Sequence, residues 1–281
     1  MTRDQVLGMI IGCAVGDAYG APYEFMAPED VRPTKGYSTG GTHDVTIGEW
    51  TDDTALMVAT MDAYITHQKF DAQAITNNFK LWKNTGKFGT RDYVFDIGQT
   101  TAQAIDRITD DISYAGSATK FSSGNGSIMR VAPAIAANFN NPAKAVGEAV
   151  ALSLITHGNL DTITYISAFV DEVICGGKRP VNNKLRRYDV YQTHNTGSIM
   201  HSYNVAHCAA HYGSGFDGAL MEAAKLGYDT DTNCAVTGML VGSKLGYSNI
   251  PERFLRDLQQ HDMLLDMPNK MYDLRTKTGR Y

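Results

Sequence analysis

Apolar residues recur along this chain every three to four positions and almost nowhere alternate. Across residues 3–16, Val6, Met9, Ile10 and Cys13 fall at i, i+3, i+4 and i+7, the stripe of an amphipathic helix. Residues 52–66 repeat the spacing through Leu56, Ala59, Thr60 and Ala63. They follow Thr51, a residue type that caps helix starts, and place Asp52 and Asp53 in the dipole-favoured first turn. The same period predicts helices near 71–84, 98–109, 143–156, 160–174, 201–212, 216–225, 232–246 and 251–258, with Pro142 and Pro251 where helices can begin. No run alternates convincingly with the two-residue period of a strand. The expectation is an all-α fold, a single compact domain over residues 1–281 without linker or internal repeat.

Composition sets the class. The chain carries 25 Lys+Arg against 30 Asp+Glu, a net charge of −5, with 43% hydrophobic residues. That is the balance of an ordinary globular protein, and its mild acidity argues against a nucleic-acid-coating surface. Cys13, Cys175, Cys208 and Cys234 are scattered with no CxxC spacing, which reads as reduced structural thiols in a cytoplasmic protein. Apolar runs fall short of the roughly 20 residues of a membrane span. The first apolar run is flanked by Asp4 and Asp17, unlike a signal peptide, and reads as mature structure. A monomer is the default. The basic run 178–187, KRPVNNKLRR, reads as a solvated loop, or else as a patch for an acidic partner.

Four stretches concentrate chemistry. Trp50-Thr51-Asp52-Asp53-Thr54 sets adjacent carboxylates beside hydroxyls. Adjacent carboxylates repel, so keeping both ionised calls for a cation, and hard divalent ions such as Mg²⁺ favour that oxygen set. The simpler reading is a cap followed by first-turn acids. Thr109-Asp110-Asp111 repeats the triplet without the flanking Trp and Thr and reads as an ordinary loop. Asp229-Thr230-Asp231-Thr232 joins two more acids at a helix start, where they cap the helix or turn toward one ion. In Gly16–Glu24, small residues permit close backbone approach, and Asp17 and Glu24 are either site groups or part of a helix end and turn. In Ser122–Arg130, a Gly/Ser loop entering a helix exposes N–H groups that suit phosphate, although it lacks the GxxxxGK[ST] spacing. His207 and His211 in HCAAH lack the Glu of a zinc-protease helix, so with His201 they read as a polar helix face.

Taken in order, GDAYGAPYE at 16–24, WTDDT at 50–54, GNGSIMR at 124–130, Thr156-His157 and LGYDTDTN at 226–233 resemble one family. Gly238 to Gly242, Gly246 and Ile250-Pro251 close the pattern. The chain resembles, over about residues 4–258, the ADP-ribosylglycohydrolases, the group of the dinitrogenase-reductase-activating glycohydrolase and the ADP-ribosylhydrolases. The resemblance implies an all-α domain around a binuclear Mg²⁺ (or Mn²⁺) site. Its metal ligands would be Thr51, Asp52, Asp53, Asp229, Asp231 and Thr232. Glu24 matches the acid of a mobile segment that approaches the metals. Gly124, Asn125, Gly126, Ser127 and Met129 match the loop that cradles the diphosphate, Phe121 the residue stacked on adenine, and His157 a contact near the phosphates. The proton-transferring acid is Asp53, Asp229 or Glu24, and the residues alone do not choose. Tyr228 stands where the family often has Gly, placed to narrow the pocket or touch the ribose. The implied reaction cleaves the glycosidic bond between ADP-ribose and an acceptor side chain, arginine first, on a modified protein. A free ADP-ribose-type or nucleoside metabolite, or a non-catalytic binding relative, are the alternatives.

Overall fold

The first helix, α1 (Arg3–Gly20), starts at a capping box. Thr2 Oγ1 accepts from the Gln5 N–H at 3.2 Å, and the Gln5 side chain accepts from the Thr2 N–H at 2.9 Å. The helix runs past the expected end at 16 and is buried continuously from Val6 to Gly20. The span Arg3–Tyr23 has the length and mean hydropathy to cross a membrane, yet its apolar 18-residue window is packed inside the protein. A helix buried all round is a core helix, and the others are laid around it.

The computed structural model describes residues 1–119, 122–175 and 197–278. Among them are twelve α-helices and no sheet, only isolated bridges. After α1 come α2 (Asp52–His67), α3 (Ala72–Thr85), α4 (Gln99–Arg107), α5 (Ala132–Asn138) and α6 (Pro142–Leu154). Then follow α7 (Leu160–Ile174), α8 (Ile199–Tyr212), α9 (Gly215–Ala224), α10 (Thr230–Leu245), α11 (Glu252–Asp257) and α12 (His261–Thr278). The fold is all-α, as the periodicity predicts. Helices α5 and α12 were not predicted. Pro133 falls in the first turn of α5, where its missing N–H costs nothing, and Pro268 lies inside α12. The Asp110-Asp111 triplet is an exposed turn, as expected. The basic run 178–187 lies outside the described residues.

The central contact is α1 against α10. Gly8, Gly12, Gly16 and Gly20 form one stripe, four residues apart, that meets α10 running the opposite way. A Cβ at Gly12 would fall 2.3 Å from the Gly238 carbonyl oxygen, and one at Gly242 would fall 1.9 Å from that of Gly8. Only glycine allows two helix backbones this close. At the far end, Thr230 Oγ1 donates to the Gly20 carbonyl at 2.8 Å. The stripe therefore fixes where the N-terminus of α10 sits, and that terminus carries the second acidic motif. Helices α8 and α9 cover α10, while α12 lies along α1, α2 and α5.

Candidate active site

Asp17 organises the first acidic motif from outside it. Helix α2 begins at Thr51, whose side chain makes no cap hydrogen bond. Asp17, on α1, caps α2 instead. Its Oδ1 accepts from Thr51 N–H at 3.0 Å and Thr51 Oγ1 at 2.9 Å; its Oδ2 accepts from Thr54 N–H at 2.9 Å and Thr54 Oγ1 at 2.6 Å. Burial raises the Asp17 carboxyl to about 6, against the four hydrogen bonds that favour its charge. Asp17 is thus a structural cap. With capping done by another helix, Asp52 and Asp53 are spared that role.

The two acidic motifs converge. Thr51 Oγ1 lies 3.5 Å from Asp52 Oδ1, 3.4 Å from Asp53 Oδ2 and 3.4 Å from Asp231 Oδ2. Thr232 Oγ1 lies 3.4 Å from Asp53 Oδ2. Asp229, the N-cap residue of α10, accepts from Asn125 Nδ2 at 2.6 Å. Asp52, Asp53 and Asp231 are pushed well above the usual carboxylate range, by burial first and then by the neighbouring carboxylates. Asp53 Oδ1 and Asp231 Oδ1 are buried with no hydrogen-bond partner among the described residues. Mutually repelling buried carboxylates with orphaned oxygens, beside two threonine hydroxyls, are the donor set a hard divalent cation takes. The residues fit a metal centre.

Two site residues have no counterpart in the sequence reading. Asp96 offers an oxygen within 4.8 Å of oxygens of Asp52 and Asp231, and also belongs to a group with Glu24 and His43. Asp96 stands alone before Ile97-Gly98, so the paired-acid signal that exposed the other motifs is missing. His43 Nε2 lies 2.7 Å from Glu24 Oε2 and 3.7 Å from Asp96 Oδ2. A lone His in a Gly-rich loop carries no sequence signal at all. Burial raises the Glu24 carboxyl to about 7, with the His43 hydrogen bond opposing, and the same bond raises His43.

A cleft of about 520 Å³ opens over the acids. Glu24, Asp52, Gly124, Asn125, Gly126, Met129, His157, Tyr228, Asp229, Asp231 and Thr232, all expected at the site, line it together with Phe25, Asp96, the 97–101 segment and Gly197. Thr51 and Asp53 lie buried beneath. The Ser127 hydroxyl does not reach the cleft; it sits under the loop, 3.0 Å from Ser153 Oγ. Phe121 lies outside the described residues. Tyr228 has a left-handed backbone (φ 59°), which explains why glycine suits this position, and its ring is half exposed at the cleft. It exchanges backbone hydrogen bonds with the Glu24 segment: Phe25 N–H to the Tyr228 carbonyl at 2.6 Å, Tyr228 N–H to the Met26 carbonyl at 2.8 Å.

The family model for ADP-ribosylglycohydrolase matches residues 1–280. The chain belongs to the ADP-ribosylglycohydrolase family. It is thereby a glycosidic hydrolase. It is 26% identical over 290 residues to an ADP-ribosylarginine hydrolase of Serratia proteamaculans, covering 96% of this chain and 79% of that protein. It is 27% identical over 273 residues to an ADP-ribosyl-[dinitrogen reductase] glycohydrolase of Rhodospirillum rubrum, covering 91% and 90%. A solved ADP-ribosylglycohydrolase-related protein complex superposes with a TM-score of 0.83 at 25% identity, covering 97% of this chain and 98% of that one. The glycine loop, through Gly124, Asn125 and Gly126, and the acids Asp52, Asp229 and Asp231 stand on the same cleft.

Proposed function

We propose that this ADP-ribosylglycohydrolase cleaves the N-glycosidic bond joining ADP-ribose to an arginine side chain of a modified protein, with two Mg²⁺ (or Mn²⁺) ions held by Thr51, Asp52, Asp53, Asp229, Asp231 and Thr232. The observation that carries the reading is the convergence of two acidic motifs, about 180 residues apart in sequence, under one cleft whose other wall is the glycine loop. The relatives named as ADP-ribosylarginine hydrolases support arginine as the acceptor.

When bound, the ions supply positive charge that polarises oxygen groups. The rest falls to the chain. The glycosidic bond breaks through an oxocarbenium-like transition state, whose developing positive charge the surrounding carboxylates favour. Glu24 and Asp229 line the cleft while Asp53 is buried beneath it, which supports Glu24 or Asp229 as the group that takes a proton from water. Asn125, donating to Asp229 Oδ2, holds that carboxylate in one orientation. Gly124 and Gly126 bring the loop backbone against the ligand, and the absence of side chains there leaves room for a diphosphate.

The test is ADP-ribose release by purified protein with Mg²⁺ from arginine-linked and serine-linked substrates and from small free ribosides. Release from the arginine linkage above the others supports the reading. Release only from free ribosides assigns the metabolite alternative, and no release from any substrate overturns the reading.

A further inference from the structure

Arg130 is fully buried, yet its hydrogen bonds go to uncharged oxygens. Its Nη1 donates to the Gly126 carbonyl at 2.7 Å, and its Nη2 to Thr156 Oγ1 at 2.7 Å. The guanidinium lies over the Phe79 ring, 4.8 Å from its centroid. Thr156 Oγ1 is in turn 2.7 Å from His157 Nδ1. Thr156 is fully buried, and among the described residues its hydroxyl has these two partners, Arg130 and His157.

The direction of this chain is fixed by chemistry. A guanidinium has only protons to give, so Thr156 Oγ1 accepts from Arg130. The hydroxyl proton then has one acceptor within reach, His157 Nδ1. Were Nδ1 to carry a proton, the buried hydroxyl would be left with nothing to donate to. A neutral imidazole whose Nδ1 accepts carries its proton on Nε2. Burial, with the nearby Arg130 charge, lowers the His157 pKa to about 3, so the ring stays neutral in the working range. The ring meets the cleft at the glycine loop: a Cβ at Gly124 would lie 3.3 Å from Nε2, and one at Gly126 3.2 Å from Cε1.

We infer that Arg130 and Thr156 are positioning residues that lock His157 as its Nε2–H tautomer, so the cleft presents a permanent, uncharged donor to the diphosphate of its ligand. The diphosphate rests on the function proposed above, whereas the tautomer does not. Arg130 also holds the Gly126 carbonyl, so one buried cation fixes both the loop and the imidazole. Among the described residues its charge meets no hydrogen-bonded carboxylate, and it adds a favourable field for an anion in the cleft.

Long-range ¹H–¹⁵N correlation NMR of histidine-labelled protein reads the tautomer without any substrate. His157 is expected with a protonated Nε2 and a bare Nδ1, unchanged from pH 5 to pH 8. In Thr156→Val the tautomers mix or invert, and ADP-ribose binding by calorimetry weakens on the order of tenfold, the equivalent of one good hydrogen bond. Adenosine, which has no diphosphate, binds each form alike. Thr156→Ser restores both readouts, which a general folding defect would not allow. An Nδ1–H signal in the unaltered protein overturns the inference, as does a Thr156→Val protein with unchanged tautomer and unchanged ADP-ribose affinity. Failure to release ADP-ribose from any acceptor would sink the function while leaving the NMR result standing, so the two failures are distinguishable.

Discussion

At the scale of single residues, the site is built by groups that do not touch the ligand. Asp17 accepts from four donor groups on two residues at the start of another helix, and Asp17→Ala leaves two backbone N–H groups buried without partners. The expected cost is about 3 kcal/mol or more by urea unfolding, with loss of divalent-ion binding because Asp52 and Asp53 are no longer held. Tyr228→Gly should behave oppositely. A non-glycine residue with left-handed φ costs about 1–2 kcal/mol, and the extra chain entropy of glycine returns about 0.5–1 of that. Since the Tyr228 ring is half exposed, thermal melting of the variant should show an unchanged or slightly raised Tm; a clear drop would mean the ring is packed. Paired acids beside hydroxyls made Asp52, Asp53, Asp229 and Asp231 legible in the sequence. Asp96 and His43 were not, because each is a single residue in a loop whose partners are brought together only by folding.

At the scale of elements, periodicity of apolar residues located most helices to within a few residues, including α2, α3 and α7. It did not show what α1 does. Glycine at every fourth position reads as weak helix propensity, yet it is the device that sets α1 against α10. Gly12→Ala and Gly238→Ala would each gain helix propensity of up to about 1 kcal/mol and lose more to the forced separation of the backbones, typically about 1–3 kcal/mol and at so short a distance more. Both are predicted to destabilise in chemical unfolding. Gly147→Ala is the control: it lies in α6 with nothing within 4 Å of a new Cβ, so it should stabilise by up to about 1 kcal/mol. Helices α7 and α8 are joined by Glu172, which accepts from Tyr203 at 3.1 Å and pairs with His207 Nδ1 at 2.9 Å. Burial pushes the Glu172 carboxyl up, but the His207 bond and the charges of His207 and Lys244 outweigh it and hold it below its ordinary 4.5. A carboxyl lowered in the folded state stabilises above its unfolded pKa and loses that contribution as pH falls. The stability gap between the unaltered protein and Glu172→Gln should therefore close as acid is added below 4.5. A gap that widened in acid would refute the ion pair.

At the scale of the whole molecule, the net charge of −5 is a statement about one place. Glu24, Asp52, Asp53, Asp229 and Asp231 are five of the 30 acids, and they gather under a single cleft. Two divalent ions would bring the total to −5 + 4 = −1. Without them the protein keeps a buried, repelling cluster, so chelation should lower Tm, by an amount that grows with the ion affinity. The fold class could be read from the sequence because most of the helices among the described residues leave a period in the chain. The cleft could not, because it exists only where α1, held by its glycines, brings the ends of α2 and α10 together. Under the function proposed above, these two ends form one catalytic metal centre. Mg²⁺-dependent release of ADP-ribose from an arginine-linked substrate tests it most directly, with Asp52→Ala at one end and Asp231→Ala at the other. Release by the unaltered chain is expected, with its loss, by at least about a hundredfold, in either variant alone. Release that survives either substitution at near full rate would contradict it.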